Sequence, residues 1–113
     1  MALQLFHNPR CSKSRATLAL LESKGLEPHI VEYLKEPPSL QTLKDLHRAL
    51  GCKAIEMIRA QESIFGELGL ADADDETLLR AVTEHPILLE RPIVLNKGRA
   101  AIGRPPENVL DIL

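Results

Sequence analysis

The chain lacks the features that define several large classes of proteins. None of its apolar runs approaches the roughly 20 residues that a membrane-spanning helix needs. Its first residues lack the charged, apolar and small-residue sections of a secretory signal peptide. There is neither an internal repeat nor a low-complexity tract. We therefore expect a cytoplasmic protein that does not associate with membranes.

An excess of charge is also missing, because the formal net charge is only -2. Such a chain has no global basic field to attract nucleic acid. Any anion site must then be made locally, by a few converging arginines. His29, His47 and His85 do not stand at ligand spacing with another histidine or cysteine, so we expect no metal site.

Cysteine is scarce, and the two thiols have different surroundings. In a reducing cytoplasm Cys11 and Cys52 are expected to be free, with any disulfide transient and catalytic. Cys52 follows Gly51 at the end of a predicted helix. A packed, structural thiol is the expected role for Cys52, since free cysteines are commonly buried.

The hydrophobic pattern predicts a single domain, 1–113, in three sections. The first is strand, helix, strand: a strand at 3–6, a helix that ends near Lys24, and a strand from Ile30 to Tyr33. The second is a helical insertion at about 39–85. The third has two strands around an Asn-Lys-Gly turn at 96–98, then a short helix opened by Pro105. This order of β-α-β, helical insertion and β-β-α is that of a thioredoxin-like α/β fold with a four-stranded mixed sheet.

The loop around Cys11 has the composition of a reactive site. The thiol is predicted at the start of the first helix, where unpaired backbone N–H groups and the helix dipole favour negative charge. Arg10, Lys13 and Arg15 lie within four residues of it. These groups favour the thiolate, which is the nucleophilic form, and they would also hold an oxyanion. The pattern predicts covalent chemistry on an anionic substrate.

Two common thiol chemistries do not fit this loop. Ser14 stands where a Cys-x-x-Cys oxidoreductase has its second cysteine, so the resolving partner is missing. Thr17 stands where the Cys-x5-Arg phosphate loop of tyrosine phosphatases needs arginine. Cys11 is therefore a single nucleophile that needs an external reductant.

Other candidate residues have open alternatives at this point. His7 either lowers the pKa of the thiol or simply caps the loop. Pro92 either begins an edge strand or is the cis-proline that faces the active cysteine in thioredoxin-like folds. Arg59, Arg91 and Arg104 are either solvated surface cations or, if they converge, an oxyanion site.

Four stretches stand in the order and at the spacing of one known family: His7-Asn8-Pro9-Arg10-Cys11-Ser12-Lys13-Ser14-Arg15, His85-Pro86-Ile87-Leu88, Glu90-Arg91-Pro92-Ile93-Val94, and Gly103-Arg104-Pro105-Pro106-Glu107-Asn108-Val109-Leu110-Asp111-Ile112-Leu113. With them the chain closely resembles the glutaredoxin-dependent arsenate reductase family over essentially its whole length. Family members often carry Ala-Cys-Gly-Thr-Ser-Arg in the loop, whereas Arg10 precedes the cysteine here and Ser12-Lys13 follow it.

The resemblance implies a function and a set of roles. It implies reduction of arsenate to arsenite through a thiol–arsenate adduct, with glutathione as co-substrate, glutaredoxin as partner and no bound cofactor or metal. We expect a monomer. The implied catalytic residues are Cys11 and its neighbour His7, and Pro92 is implied to be the cis-proline. The residues implied to bind substrate are Ser14, Arg15, Arg59, Arg91 and Arg104.

Two other functions remain open from the sequence. One is a non-enzymatic thioredoxin-like redox regulator or adaptor, although such regulators usually carry the Cys-x-x-Cys switch that is missing here. The other is a glutathione-dependent thiol reductase acting on a different substrate.

Overall fold

The computed structural model describes residues 3–113. These residues form two compact units. The first comprises residues 3–36 and 91–113, and the second comprises Pro37–Glu90. The predicted helical insertion at 39–85 lies inside the second unit. That the whole chain is one domain stays a prediction.

The first unit is built on a four-stranded sheet. Its strands are β1 (Gln4–Phe6), β2 (His29–Val31), β3 (Ile93–Asn96) and β4 (Arg99–Ile102), in the spatial order β2-β1-β3-β4. β1 runs parallel to β2 and antiparallel to β3, while β3 and β4 form an antiparallel hairpin. The predicted mixed sheet is therefore confirmed.

The β3–β4 hairpin is closed by the two residues Lys97 and Gly98. Both have a positive φ, of 53° and 79°, which is the geometry of a type I′ turn. Asn96 pairs with Arg99 across the turn. Because glycine reaches positive φ without a steric penalty, Gly98 explains why the chain reverses here.

Helix α1 (Ser12–Ser23) connects β1 to β2 and covers the sheet. It ends in a Schellman motif, in which the N–H of Leu26 donates to Leu21 O and that of Gly25 to Glu22 O. The C-terminal 3-10 helix Pro106–Ile112 packs against α1 and β4. The core of this unit consists of buried apolar residues from every layer: Leu5, Leu21, Val94, Val109 and Ile112.

The second unit is helical. It contains α2 (Leu40–Leu50), α3 (Ser63–Glu67) and α4 (Asp75–Glu84), with 3-10 turns at Ala54–Met57, Leu70–Asp72 and Pro86–Leu88. Ser39 and Asp74 cap α2 and α4, since each side-chain oxygen accepts from a backbone N–H three residues on. An isolated antiparallel bridge joins Ile58 to Leu89.

Strand β2 is shorter than the sequence predicted. It ends at Val31, and Tyr33, which was expected in the strand, follows it. The reason is a turn in which the Glu32 carbonyl accepts the N–H groups of Lys35 and Glu36, both at 2.9 Å. Tyr33 is nevertheless buried, with 1% of its surface exposed. Within residues 3–113, no helix has the length and apolar character needed to cross a lipid bilayer.

Candidate active site

Cys11 is the N-cap residue of α1. Its backbone is extended, with φ of -95° and ψ of 124°, and the helix begins at the next residue. Asn8 shapes the loop that leads to it, because its carbonyl accepts the N–H of Cys11 and its side-chain oxygen accepts the N–H of Arg10, both at 3.0 Å. The thiol is half-buried, so a small substrate can reach it.

The surroundings of Cys11 lower the pKa of its thiol below the ordinary value. Burial alone acts in the opposite direction and is the largest single influence. It is outweighed by the N–H groups of Ser14 and Lys13, together with the charge and hydrogen bonding of Arg91. These N–H groups are among those that a helix leaves unpaired at its start. The site therefore favours the thiolate form of the sulfur.

Arg104 is a second guanidinium close to the sulfur. Its Nη1 lies 4.0 Å from Cys11 Sγ and donates to Arg91 O at 3.3 Å. The structure thus brings Arg91 and Arg104 together beside Cys11, within the first unit. Two planar guanidinium groups around a thiolate can bind an oxyanion through several charge-assisted hydrogen bonds.

Two X-Pro peptide bonds near these arginines are cis. Arg91–Pro92 is one, as the resemblance implied, and Arg104–Pro105 is the other. The second cis bond had no counterpart in the sequence analysis. Both arginines beside Cys11 are therefore joined to the following proline by a cis peptide bond.

Gly103 allows the segment that carries Arg104 to approach α1. Its N–H donates to Pro92 O at 2.9 Å. A Cβ at this position would lie 2.5 Å from Thr17 Oγ1 and 2.8 Å from Pro92 Cγ. Only glycine fits this approach without displacing a neighbour. Sequence reasoning missed Gly103, although its place directly before Arg104-Pro105-Pro106 was a signal of constrained backbone.

His7 and Ser14 form a buried pair behind the loop. His7 Nδ1 and Ser14 Oγ are 2.7 Å apart, and the same hydroxyl accepts the N–H of Asn8 at 3.0 Å. Burial is the main reason that the pKa of His7 is lowered; the charge of Arg15 acts in the same direction and that of Glu32 opposes it. His7 is therefore linked to the site through Ser14, as a neutral ring near pH 7.

Arg15 and Ser14 are the remaining candidates of the first unit, and their side chains make different contacts. Arg15 Nη1 donates to Pro9 O at 3.0 Å, which fastens the first turn of α1 to the loop. The Ser14 hydroxyl is used by His7 and Asn8, so the part of Ser14 that faces the sulfur is its N–H. The substrate-binding roles of Ser14 and Arg15 stay predictions.

Arg59 lies in the second unit. Its Nη1 pairs with Glu62 Oε2 at 2.8 Å, and its side chain is 15% exposed. Its N–H donates to Leu88 O at 2.7 Å, next to the Ile58–Leu89 bridge. The implied role of Arg59 in the oxyanion site stays a prediction. Glu62 was not anticipated, although an acidic residue three positions after an arginine is a recognisable pairing pattern.

Cys52 is also in the second unit, and its surroundings shift the pKa of its thiol in the direction opposite to that of Cys11. Burial, followed by the charge of Glu56, raises the pKa of its thiol above the ordinary value. His47 Nε2 lies 2.9 Å from the Cys52 carbonyl oxygen. A thiol with a raised pKa is a poor nucleophile, which fits the structural role expected for it. Among residues 3–113, no cluster of three or more His, Cys, Asp or Glu side chains is arranged to hold a metal ion.

A thiol at the N-cap of the first helix of a thioredoxin-like fold, with guanidinium groups around its sulfur, defines the class: a protein that handles anions through a single reactive cysteine. Comparison with known proteins identifies the family within this class. The model of the ArsC family matches residues 6–112, and the chain belongs to that family.

The relatives cover nearly the whole chain. An arsenate reductase of Neisseria meningitidis serogroup A is 51% identical over 98% of this chain and 97% of its own length. A protein of Escherichia coli strain K12 named uncharacterized protein YfgD is 49% identical over 98% of this chain and 96% of its own. The solved structure of an arsenate reductase from Vibrio cholerae is 48% identical, with a TM-score of 0.96, and the match covers 100% of this chain and 98% of that one.

Proposed function

We propose that the protein is an arsenate reductase that uses glutathione and glutaredoxin as its reductants. The observation that carries the proposal is the Cys11 sulfur, which has a lowered pKa and lies 4.0 Å from Arg104 Nη1. Relatives of about half-identical sequence that are named arsenate reductases support the choice of oxyanion. The proposal places the reaction in the cytoplasm, where thiols are kept reduced.

The first step is attack of the Cys11 thiolate on arsenic. A sulfur–arsenic bond forms, one arsenic–oxygen bond breaks, and that oxygen takes up protons and leaves as water. Arg91 and Arg104 offset the charge of the arsenic-bound oxygens during the attack. Arg59 is proposed to join them, as the resemblance implied. Arsenic remains As(V) in this step.

The next steps need two external thiols, because Ser14 stands in the place of a resolving cysteine. The glutathione thiol displaces a second arsenic oxygen as water and becomes bound to arsenic. The thiolate of glutaredoxin then attacks the glutathione sulfur and forms a glutaredoxin–glutathione disulfide. The electron pair of the broken sulfur–arsenic bond stays on arsenic, which becomes As(III). Water finally displaces Cys11 and releases arsenite.

The test is arsenate-dependent oxidation of NADPH, coupled through glutathione reductase and glutaredoxin. Wild type is compared with Cys11→Ser and with Cys52→Ser, a matched cysteine substitution outside the site. We expect turnover in wild type and Cys52→Ser, and none above background in Cys11→Ser.

Three other results would contradict the proposal or part of it. No arsenate-dependent turnover in wild type would refute the proposal, and a reactive Cys11 would then favour a thiol reductase with another substrate. Loss of activity in Cys52→Ser would indicate an intramolecular disulfide and a thioredoxin-linked cycle instead. Turnover that continues without glutathione would contradict the proposed second thiol.

A further inference from the structure

A cavity opens beside the reactive loop, and Leu34 and Lys35 in its lining have no role in the proposed reaction. It has a volume of about 310 Å³ and is lined by loop residues 7–10 together with Glu32, Leu34 and Lys35. All of these belong to the first unit. The volume is at the lower end of the roughly 300–1,000 Å³ of small-molecule sites, so the cavity suits a ligand of a few residues.

The charged groups of the cavity are mixed in sign. Arg10 and Lys35 are cations, and Glu32 is a carboxylate whose Oε1 lies 3.6 Å from Lys35 Nζ. Within residues 3–113, the Arg10 guanidinium has neither a hydrogen bond nor an ion pair. A small oxyanion alone would match the two cations but would offer no positive group to Glu32. A ligand that carries charges of both signs complements the set.

The cavity also has an apolar surface. Leu34 is 42% exposed and so offers an aliphatic surface to a ligand. Pro9 adds a rigid apolar ring from the loop. Methylene groups of a bound ligand can cover both, which gains hydrophobic stabilisation in addition to the ion pairs.

We propose that this cavity binds the glutathione molecule that acts on the Cys11 adduct. Glutathione carries two carboxylates and one ammonium group, which match the two cations and the one carboxylate of the cavity. Arg10 and Lys35 receive the carboxylates, and Glu32 receives the ammonium. This proposal rests on the proposed function, because it assigns a site to the thiol co-substrate of that reaction.

The place of the cavity in the loop fits the chemical step. Arg10 precedes Cys11 directly, so their Cα atoms are about 3.8 Å apart. A tripeptide bound at Arg10 therefore lies beside the residue that carries the adduct, which is the arrangement that the proposal requires. Its sulfur forms a bond to arsenic, an arsenic–oxygen bond breaks, and the oxygen leaves as water without a change in oxidation state.

The test uses binding without turnover. The full-length Cys11→Ser protein, labelled with 15N, is titrated with S-methylglutathione, which has no reactive thiol. We expect amide shifts concentrated at residues 7–10 and 32–35. Arg10→Ala and Lys35→Ala, made in the same background, should each weaken binding about three- to five-fold, as for loss of one exposed ion pair. Lys24→Ala, an exposed lysine of the same unit outside the cavity, should bind as the parent does.

Shifts centred elsewhere, absence of binding, or equal affinity in the Arg10, Lys35 and Lys24 variants would overturn the cavity proposal. A kinetic arm separates it from the reductase proposal. In the coupled assay Lys35→Ala should raise the KM for glutathione and leave the KM for arsenate unchanged, and Arg10→Ala should raise the KM for glutathione by a larger factor than the KM for arsenate. A rise in the arsenate KM alone would assign the cations to arsenate instead. If wild type does not reduce arsenate at all, the titration still decides whether glutathione occupies the cavity.

Discussion

Ser14 Oγ lies 2.7 Å from His7 Nδ1, and both side chains are buried beneath the loop that carries Cys11. The same hydroxyl accepts the N–H of Asn8, so one oxygen holds the end of β1, the loop and the first turn of α1 together. Ser14 thus supports the site with its side chain while its N–H stabilises the thiolate.

Ser14→Ala should lower the free energy of unfolding by about 1–3 kcal/mol, because two buried polar groups lose their shared partner. The N–H of residue 14 is kept, so the low pKa of the Cys11 thiol should largely persist. Denaturant unfolding and the pH profile of Cys11 alkylation measure the two effects. Ser23→Ala is the control, since that exposed hydroxyl only donates to Leu20 O, and its effect should stay within about 0.5 kcal/mol. Equal stability losses in both variants would contradict the bridging role of Ser14.

The two cysteines should react with iodoacetamide in different pH ranges. Only the thiolate reacts, so each rate rises with pH around the pKa of its thiol. The pKa of Cys11 is lowered, whereas burial and the charge of Glu56 raise that of Cys52. Cys11 should therefore be labelled at a pH where Cys52 is still protected. Mass spectrometry of the two peptides after timed labelling gives both profiles, and profiles that coincide would refute the electrostatic description.

Arg104→Gln should reduce kcat/KM for arsenate by about 10²-fold. This is the loss typical of enzymes from which one hydrogen-bond donor to the negative charge of the transition state has been removed. It should also move the alkylation profile of Cys11 to higher pH, because a cation 4.0 Å from the sulfur is lost. Arg99→Gln is the matched control: its Nη2 donates to Asp111 O, within the same unit. Unchanged kinetics in Arg104→Gln would remove this arginine from the oxyanion site.

Gly103→Ala should destabilise the protein by about 1–3 kcal/mol, because the new methyl group meets Thr17 Oγ1 and Pro92 Cγ. It should also displace Arg104 and slow arsenate turnover. Gly66→Ala is the control, since a Cβ there meets nothing within 4 Å. Thr17→Ala combined with Gly103→Ala should recover part of the loss, which a double-mutant cycle measures. Additive effects of the two substitutions would show that the predicted clash with Thr17 does not occur.

Local signals in the sequence were sufficient for most of the fold. The Asn-Lys-Gly turn at 96–98 lies where its short pattern predicted it, and Ser39 and Asp74 at the helix starts are residue types that favour N-cap positions. Each depends on residues a few positions apart, so the chain itself carries the information. The reactive position of Cys11 followed in the same way from its neighbours.

The parts that were missed have two different causes, one local and one long-range. The end of β2 before Tyr33 is set by a turn on Glu32, which strand propensity does not register. The contact of Gly103 with Thr17 and Pro92 joins segments that are far apart in the chain. The local pattern around Gly103 indicates a constrained backbone, but it does not show which distant segments this glycine contacts.

The N-cap position, just before the first helical residue, is where proteins most often place serine, threonine, aspartate or asparagine, because these side chains satisfy the unpaired N–H groups of the helix best. Here that place is held by Cys11, a weaker cap. The chain gives up some stability of α1 at the residue proposed to carry out its chemistry, which is the trade between stability and reactivity that many enzymes make. Selection for stability alone would replace this cysteine first, so an evolved or engineered thermostable variant that keeps it retains it for its reactivity.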